Sequence, residues 1–236
     1  MRKDKRQNHE LRNIEFICNY TKYAEGSVLV KFGDTHVLCN ASLINKVPNH
    51  AKDNNHGWLT AEYNMLPRAT HVRNDREATK GKLTGRTQEI QRLIGRSLRL
   101  AIDLKEISGY TIHIDCDVIQ ADGGTRTASI TGAWLALVHA VKYMQAQNLI
   151  SYFPKIKQIA AISIGIINNS VLVDLDYQED SSCDTDLNLV MDNNSGIIEV
   201  QGTAEGQSFT KFELDKMLEI GSKSIKKIFE LQNIHI

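Results

Sequence analysis

The order of the predicted elements is the feature that most limits the folds open to this chain, because it occurs twice. Residues 27–43 predict a hairpin around a Gly-Asp turn, and residues 161–175 predict another around an Asn-Asn turn. Each hairpin is followed by further strand-like sequence and then by a long amphipathic segment, at 88–104 in the first case and at 212–231 in the second, for which Thr210 is the candidate N-cap. Because an amphipathic helix must bury its apolar face, the pattern predicts helices that cover sheets.

The segment between the two repeats predicts one more strand, at 110–119, and one more helix, at about 127–147. The 236 residues include only 3 prolines, and no stretch stands out as a linker. With 42% apolar and 24% charged residues, the composition is that of an ordinary globular protein. We therefore predict an α+β fold whose two similar halves, approximately 1–150 and 151–236, pack as one domain over 1–236.

The charges of the chain are divided unevenly along its length. Residues 1–100 hold 18 Lys and Arg against 10 Asp and Glu, whereas residues 101–236 hold 10 against 18, so a net charge of zero hides halves of +8 and −8. The stretch 68–99 is the most basic part. Concentrated positive charge attracts polyanions such as nucleic acid. A solvated helix face with interface ion pairs has the same composition, so both interpretations stay open.

Several common types of site and setting have no support in the sequence. The 4 cysteines are far apart and form no CxxC pair, which is typical of a reduced, cytoplasmic protein. The longest apolar run, 159–167, is too short to cross a membrane and predicts a buried strand, so we expect no membrane partner. The patterns GxxxxGK[ST], GxGxxG, HExxH and GxSxG are absent, and no covalent nucleophile is indicated.

Two short segments combine glycine with arginine just before a predicted helix. Leu83–Thr87 precedes one helix and Asp122–Thr127 precedes another. Glycine allows the backbone to approach a ligand closely, and the N-terminus of a helix offers unpaired N–H groups to an anion. The arginine guanidinium adds a planar set of donors that matches phosphate oxygens. An ordinary strand-to-helix turn with a surface arginine is the simpler explanation of either segment alone, and it is the pair of segments that brings a phosphate site into consideration.

Two groups of acidic residues are candidates for binding a metal. The segment 174–186 contains six carboxylates and no Lys or Arg, which favours either a bound divalent cation such as Mg²⁺ or an acidic loop in water. His113, Asp115 and Asp117 alternate onto one face of a strand and form either a ligand set or hydrogen-bonded support for nearby turns. A phosphate site, a basic stretch and carboxylates together indicate phosphoryl transfer on a nucleic acid.

At this level of detail the sequence resembles the ribonuclease PH family over nearly its whole length. The resemblance rests on several long segments in the same order along the chain. These segments are Tyr20–Ser27, Thr60–Arg68, Gly85–Ile94, Asp115–Ile130 and Ile198–Gly206.

The resemblance implies a fold and an activity. The fold is a duplicated β-α unit similar to the second domain of ribosomal protein S five. The activity is that of a phosphorolytic 3′→5′ exoribonuclease that trims the 3′ ends of tRNA precursors and belongs to tRNA and rRNA processing. Inorganic phosphate is the co-substrate, nucleoside diphosphates leave, and the reaction is reversible. The resemblance also implies a homohexamer built as a trimer of dimers.

The resemblance further implies roles for individual residues. The implied phosphate site is Arg86, Gly124, Thr125 and Arg126; the implied acid or Mg²⁺-binding pair is Asp180 and Asp186; and the implied RNA-binding residues are Arg68, Arg73 and Arg76. Two other functions stay open, namely an RNA-binding ring subunit without activity and a hydrolytic ribonuclease.

Overall fold

The computed structural model describes residues 2–52 and 56–236, and in this part of the chain nine strands form two sheets. The strands are β1 (Ile14–Cys18), β2 (Gly26–Phe32), β3 (Thr35–Ile44), β4 (Trp58–Met65), β5 (Thr111–Gln120), β6 (Ile159–Ile167), β7 (Ser170–Val173), β8 (Thr185–Asp192) and β9 (Ile197–Ala204). The helices are α1 (Asn49–Lys52), α2 (Gly85–Arg99), α3 (Thr125–Ala146), α4 (Tyr177–Asp180) and α5 (Lys211–Asn233), with 3₁₀ turns at Glu77–Lys80 and Leu104–Ile107.

The first sheet has five strands in the order β1-β2-β3-β5-β4. All neighbours are antiparallel except β4 and β5, which run parallel. The predicted hairpin is present, since Phe32 pairs with Thr35 across a turn in which Gly33 has a φ of +55°. Strand β1 was not predicted, because its short segment 14–18 contains a charged residue and carries weak alternation.

The second sheet has four antiparallel strands in the order β7-β6-β8-β9. Its predicted hairpin joins β6 to β7, with Ile167 paired to Ser170. Asn168 and Asn169 both have positive φ, at +49° and +58°, as a type I′ turn requires. The predicted duplicated α+β architecture is therefore confirmed: each half has a hairpin, further strands and a covering helix.

Helix α3 is the central element, because it contacts β2, β3 and β5 of one sheet and β6 and β8 of the other. Its sequence is apolar on nearly every side, as expected for a helix buried between two layers. The contact with β2 is so close that a Cβ on Gly26 would lie 1.9 Å from the carbonyl oxygen of Ala136. No helix in the described ranges combines the length and the apolar character needed to cross a bilayer.

The ends of two helices follow from side-chain caps. The predicted helix over 88–104 was wrong at both ends: α2 begins at Gly85, because Thr84 accepts a hydrogen bond from the backbone N–H of Thr87, and it ends at Arg99. Helix α5 begins where predicted, because Thr210 and Glu213 form a reciprocal capping box.

The N-terminal segment is held to the second half by buried arginines. The Arg12 guanidinium contacts the Asp174 carboxylate at 2.7 Å, with side chains only 6% and 1% exposed. Arg2 contacts Glu179 at 2.6 Å and donates to the carbonyl oxygens of Val173 and Asp174. Because a buried ion left without its partner is unfavourable, these contacts fix the loop that follows β7.

We expect Asp174→Asn to lower the free energy of unfolding by about 3–5 kcal/mol, because it leaves Arg12 buried without a counter-charge. Asparagine tolerates the positive φ of +54° at this position, so the change removes charge without adding backbone strain. Urea unfolding of the full chain measures the effect. Lys211→Ala, which breaks an exposed pair with Asp215, is the control and should change nothing measurable. Equal stability of the two variants would contradict a structural role for the buried pair.

Candidate functional site

A cavity of about 540 Å³ lies where segments from both halves of the chain meet around the start of α3. Its size is within the usual range for small-molecule sites, roughly 300–1,000 Å³. The lining residues come from the end of β4 and the loop after it, from the first turns of α2 and α3, from β6 and β8, and from the segments around α4 and after β9. They include Arg86, Gly124, Thr125, Arg126, Asp180 and Asp186.

The N-terminus of α3 faces this cavity without a side-chain cap. The turn before it needs left-handed backbone at Gly123 and Gly124, with φ of +74° and +65°. Gly124 is the N-cap residue and has no side chain to accept from the first-turn N–H groups. Those N–H groups and the positive end of a 22-residue helix form a site that suits an anion. Thr125 is fixed there by a 2.8 Å hydrogen bond between its hydroxyl and that of Tyr63.

Two arginines, each the second residue of its helix, bring positive charge to the cavity. Arg126 is mostly buried, and its guanidinium donates to Gln201 Oε1 at 2.6 Å and lies 3.6 Å from Glu89. Arg86 is exposed at the start of α2. Both arginines act electrostatically on Asp180 and on Asp186, lowering the pKa of each carboxyl against the effect of burial. The two arginine-bearing turns therefore share one pocket.

Two carboxylates stand across the same cavity. Burial raises the pKa of Asp186 to about 6, and the neighbouring charge of Asp180 adds to this effect. Burial also raises the pKa of Asp180. Within residues 2–52 and 56–236 the buried Oδ1 of Asp186 has no hydrogen-bond partner. Asp186 is therefore a carboxyl that can exist in either protonation state near neutral pH, with an oxygen available to a ligand.

Three of the other acidic residues of the segment 174–186 have structural roles. Asp174 is paired with Arg12, and Glu179 is paired with Arg2. Asp176 is the N-cap of α4 and accepts hydrogen bonds from the backbone N–H groups of Gln178 and Glu179. The interpretation of this segment as an acidic loop in water is thus wrong for these three residues.

The donor set of the cavity fits a magnesium ion held by few protein ligands. No group of three or more His, Cys, Asp or Glu residues in the described part of the chain is arranged to hold a metal by itself. Mg²⁺ is commonly bound by one or two carboxylates together with water and substrate phosphates. Asp180 and Asp186, with the unpartnered Oδ1 of the latter, meet that requirement.

The set formed by His113, Asp115 and Asp117 does not reach this cavity. These residues lie on the face of β5 opposite its buried apolar residues, where Glu62 of β4 pairs with Asp115. Burial and the charge of Glu62 raise the pKa of Asp115 and of Asp117. The ligand-set alternative therefore has no support among the described residues.

The three arginines implied to bind RNA lie outside the cavity. Arg68, Arg73 and Arg76 are exposed on the segment between β4 and α2. Arg73 forms an ion pair with Asp75 at 3.1 Å, and Arg76 lines a smaller neighbouring cavity of about 290 Å³ that Arg86 also lines. Four other residues of the same segment do line the main cavity, namely Thr70, His71, Val72 and Asn74.

The sequence analysis missed several cavity residues, and five of them bear on the chemistry of the site. Ser163 and Asn188 pair across β6 and β8 and interrupt strands that are otherwise apolar, which is a signal that could have found them. Glu205 follows β9, and its charge raises the pKa of both Asp180 and Asp186. His71 and Tyr177 line the mouth and carried no local signal.

The chain matches known proteins over most of its length. A model of domain 1 of the 3′ exoribonuclease family matches residues 10–142, and a model of domain 2 matches residues 157–224. A solved structure of the Archaeoglobus fulgidus exosome with RNA bound to the active site has a TM-score of 0.83 and 25% identity, covering 97% of this chain and 91% of that one.

Two other similar structures share the fold at lower identity. Rice (Oryza sativa) Rrp46 has a TM-score of 0.80 and 18% identity, covering 98% of each chain. An archaeal exosome core has a TM-score of 0.78 and 23% identity, covering 98% of this chain and 90% of that one.

We expect Gly123→Ala to weaken binding of orthophosphate at the start of α3. A Cβ at this position would lie 2.4 Å from the Leu175 carbonyl oxygen in addition to requiring positive φ, so the turn must move. Gly81→Ala is the matched control, because Gly81 has nearly the same φ, +73°, but open space around its Cβ.

Both variants should lose about 1 kcal/mol of stability from φ alone, and Gly123→Ala about 1–3 kcal/mol more from overpacking. Phosphate titration calorimetry should show lost affinity for Gly123→Ala only. If the two variants bound phosphate equally well, the anion site would not be at this helix terminus.

Proposed function

The chain belongs to the 3′ exoribonuclease family of ribonuclease PH, whose activity is phosphorolytic, and we propose that it is an active member that trims the 3′ ends of tRNA precursors. Inorganic phosphate is the attacking group, and a nucleoside diphosphate is released at each step. The same reaction run backwards adds a nucleotide to the 3′ end.

One observation carries this proposal: Arg86, Arg126 and the uncapped start of α3 line the same cavity as Asp180 and Asp186. Two arginines and a helix N-terminus suit two anions, the free phosphate and the terminal phosphodiester. The carboxylates supply the acid–base group that the departing oxygen needs. A ring subunit without activity would have no need to keep all of these groups in one pocket.

In the proposed mechanism, Arg86, Arg126 and the first-turn N–H groups of α3 hold orthophosphate in line with the last phosphodiester. A phosphate oxygen forms a bond to the phosphorus while the bond from phosphorus to the 3′ oxygen of the preceding nucleotide breaks. Protonated Asp186 donates its proton to that 3′ oxygen, leaving a free 3′-hydroxyl and a nucleoside 5′-diphosphate. The arginines offset the repulsion between the two anions, and no covalent intermediate with the protein is required.

Mg²⁺ held by the ionised carboxylates is the alternative to direct proton donation by Asp186. Asp180 and Asp186 would hold it, and when bound it supplies positive charge next to the phosphate oxygens. The charge of Asp180 raises the pKa of Asp186, and a bound cation would reduce this repulsion between the two carboxylates.

The finer parts of the proposal concern the substrate, the assembly and the cell compartment. We assign Arg68, Arg73 and Arg76 to the body of a tRNA precursor, because they are exposed and basic and lie on the segment that borders the cavity. In a homohexamer built as a trimer of dimers, these arginines could serve the cavity of a neighbouring subunit. We place the enzyme in the cytoplasm, in keeping with its four free cysteine thiols.

We expect RNA incubated with the protein to release nucleoside diphosphates only when phosphate is present, and Arg126→Ala to slow this release by about 10²–10³-fold at limiting phosphate. The loss follows from removing one preorganised donor to the attacking anion. Product chromatography on a tRNA precursor and on an unstructured RNA measures both the reaction and the substrate preference.

Arg96→Ala is the control, because Arg96 also links a helix to β9, through Glu199 at 3.1 Å, but lies outside the cavity. This variant should retain the wild-type rate. Release of monophosphates would indicate the hydrolytic alternative, binding of RNA without release would indicate the inactive ring subunit, and a wild-type rate for Arg126→Ala would remove that residue from the phosphate site.

In an assay free of divalent cations, we expect the rate of phosphorolysis at saturating phosphate to fall as the pH rises through the pKa of Asp186, about 6, because the acid form of Asp186 is then lost. Asp180→Asn removes a negative charge that raises this pKa, so the descending limb should move to lower pH. Phosphate ionisation is common to both enzymes and does not contribute to the difference. An unmoved limb would exclude Asp186 as the titrating acid.

A further inference from the structure

We propose that His71 and Tyr177 form a stacking platform for the base of the 3′-terminal nucleotide of the RNA. This inference rests on the proposed function, because it names the part of the RNA substrate that two lining residues of the same cavity contact. The ligand is a nucleobase of any type, recognised through its flat face rather than through its hydrogen-bonding edge.

The two rings contact each other in the lining of the cavity. Their centroids are 5.8 Å apart and their planes are inclined at 64°, which is an edge-to-face contact. His71 belongs to the segment between β4 and α2, whereas Tyr177 is the first residue of α4. Both residues line the cavity.

Both residues are exposed to solvent although their rings contact each other. Tyr177 is 50% exposed, and Val72 beside His71 is 76% exposed. Large apolar surface that stays open at the rim of a polar cavity is a common mark of a binding site. A base placed on these rings would cover that surface and gain stacking energy.

The position of Tyr177 relates the platform to the reacting groups. Helix α4 is a single turn, so Tyr177 at its start lies one turn from Asp180 at its end. The backbone N–H of Tyr177 donates to Asp122 Oδ1 at 3.2 Å, which ties this turn to the segment that starts α3. A base held on Tyr177 therefore belongs to a nucleotide whose phosphate is near Asp180 and Arg126, which are cavity residues too.

The platform also accounts for a substrate requirement of the proposed reaction. An enzyme that shortens RNA one residue at a time must accept each base in turn at the same place. Stacking meets this need because every base has a π-face, whereas edge-specific hydrogen bonds would favour one base.

The test is the effect of Tyr177→Ala on binding of a short oligoadenylate, measured by fluorescence anisotropy without phosphate, so that no turnover is needed. Loss of one base stack should weaken binding by about 5–150-fold, whereas Tyr177→Phe should bind as the wild type does. Tyr143→Ala is the control, because Tyr143 is 42% exposed but lies near the other end of α3.

The deciding measurement uses the same RNA with an abasic residue at its 3′ end. On this RNA the wild type should bind weakly and Tyr177→Ala should cost nothing further, since the base that the ring stacks is already missing. A full penalty on the abasic RNA would show that Tyr177 acts by shape alone and would overturn the proposal. A penalty that vanishes only when the penultimate base is removed would overturn the assignment to the terminal base.

The platform and the phosphorolytic function fail in different ways. If the protein releases no nucleoside diphosphates but the Tyr177→Ala penalty disappears on the abasic RNA, the protein binds RNA ends and the platform stands. With phosphorolysis but without any effect of Tyr177→Ala on binding or on the KM for RNA, the function stands and the platform does not.

Discussion

A single buried guanidinium joins the two loops on which the site is built. Arg12 donates to the Asp174 carboxylate through Nη2 at 2.7 Å and Nε at 3.1 Å. Its Nη1 donates to the Asp122 carbonyl oxygen, and Nη2 also reaches the Gly123 carbonyl oxygen. Although burial alone would lower the pKa of Arg12, Asp174 holds it above its usual value. Buried charge is tolerated here because nearly every donor is paired. The turn before α3 and the loop that leads to Asp180 are thereby held in one arrangement.

The charges around the cavity also affect the stability of the fold. Arginines at the starts of α2 and α3 favour ionised carboxyls, whereas burial and the proximity of Asp180 oppose ionisation of Asp186. The pKa of Asp186 rises from an ordinary 3.8 to about 6 on folding. The stability that its protonated form contributes is therefore complete below about pH 3.8 and is lost as the pH rises through about 6. At neutral pH the ionised Asp186 is buried close to the charge of Asp180, which lowers the free energy of unfolding. A bound cation would reduce this unfavourable interaction.

Local sequence patterns predicted most of the helices and strands but not which residues of different elements lie close together. The Asn168-Asn169 turn and the Thr210 cap depend on neighbouring residues only, and both are present. The resemblance to a family supplied Asp180 and Asp186, and the charge run alone could not separate them from Asp174, because that distinction depends on Arg12, 162 residues away. The stacking rings are likewise brought together across more than 100 positions. Strand β1 and the end of α2 were missed because tertiary contacts outweigh weak local preferences there.

Helix α3 opens on the cavity at one end and is packed between both sheets along the rest of its length. Its buried residues, such as Ile130 and Trp134, touch no substrate, yet they set the direction in which the first turn points. Because protein interiors are close-packed, a smaller side chain at such a position leaves a cavity into which the surroundings relax only in part, and any relaxation of α3 moves its first turn. Random mutagenesis screened for loss of activity should therefore also return substitutions of buried α3 residues. Such a substitution acts through the orientation of the first turn and not through a contact with RNA.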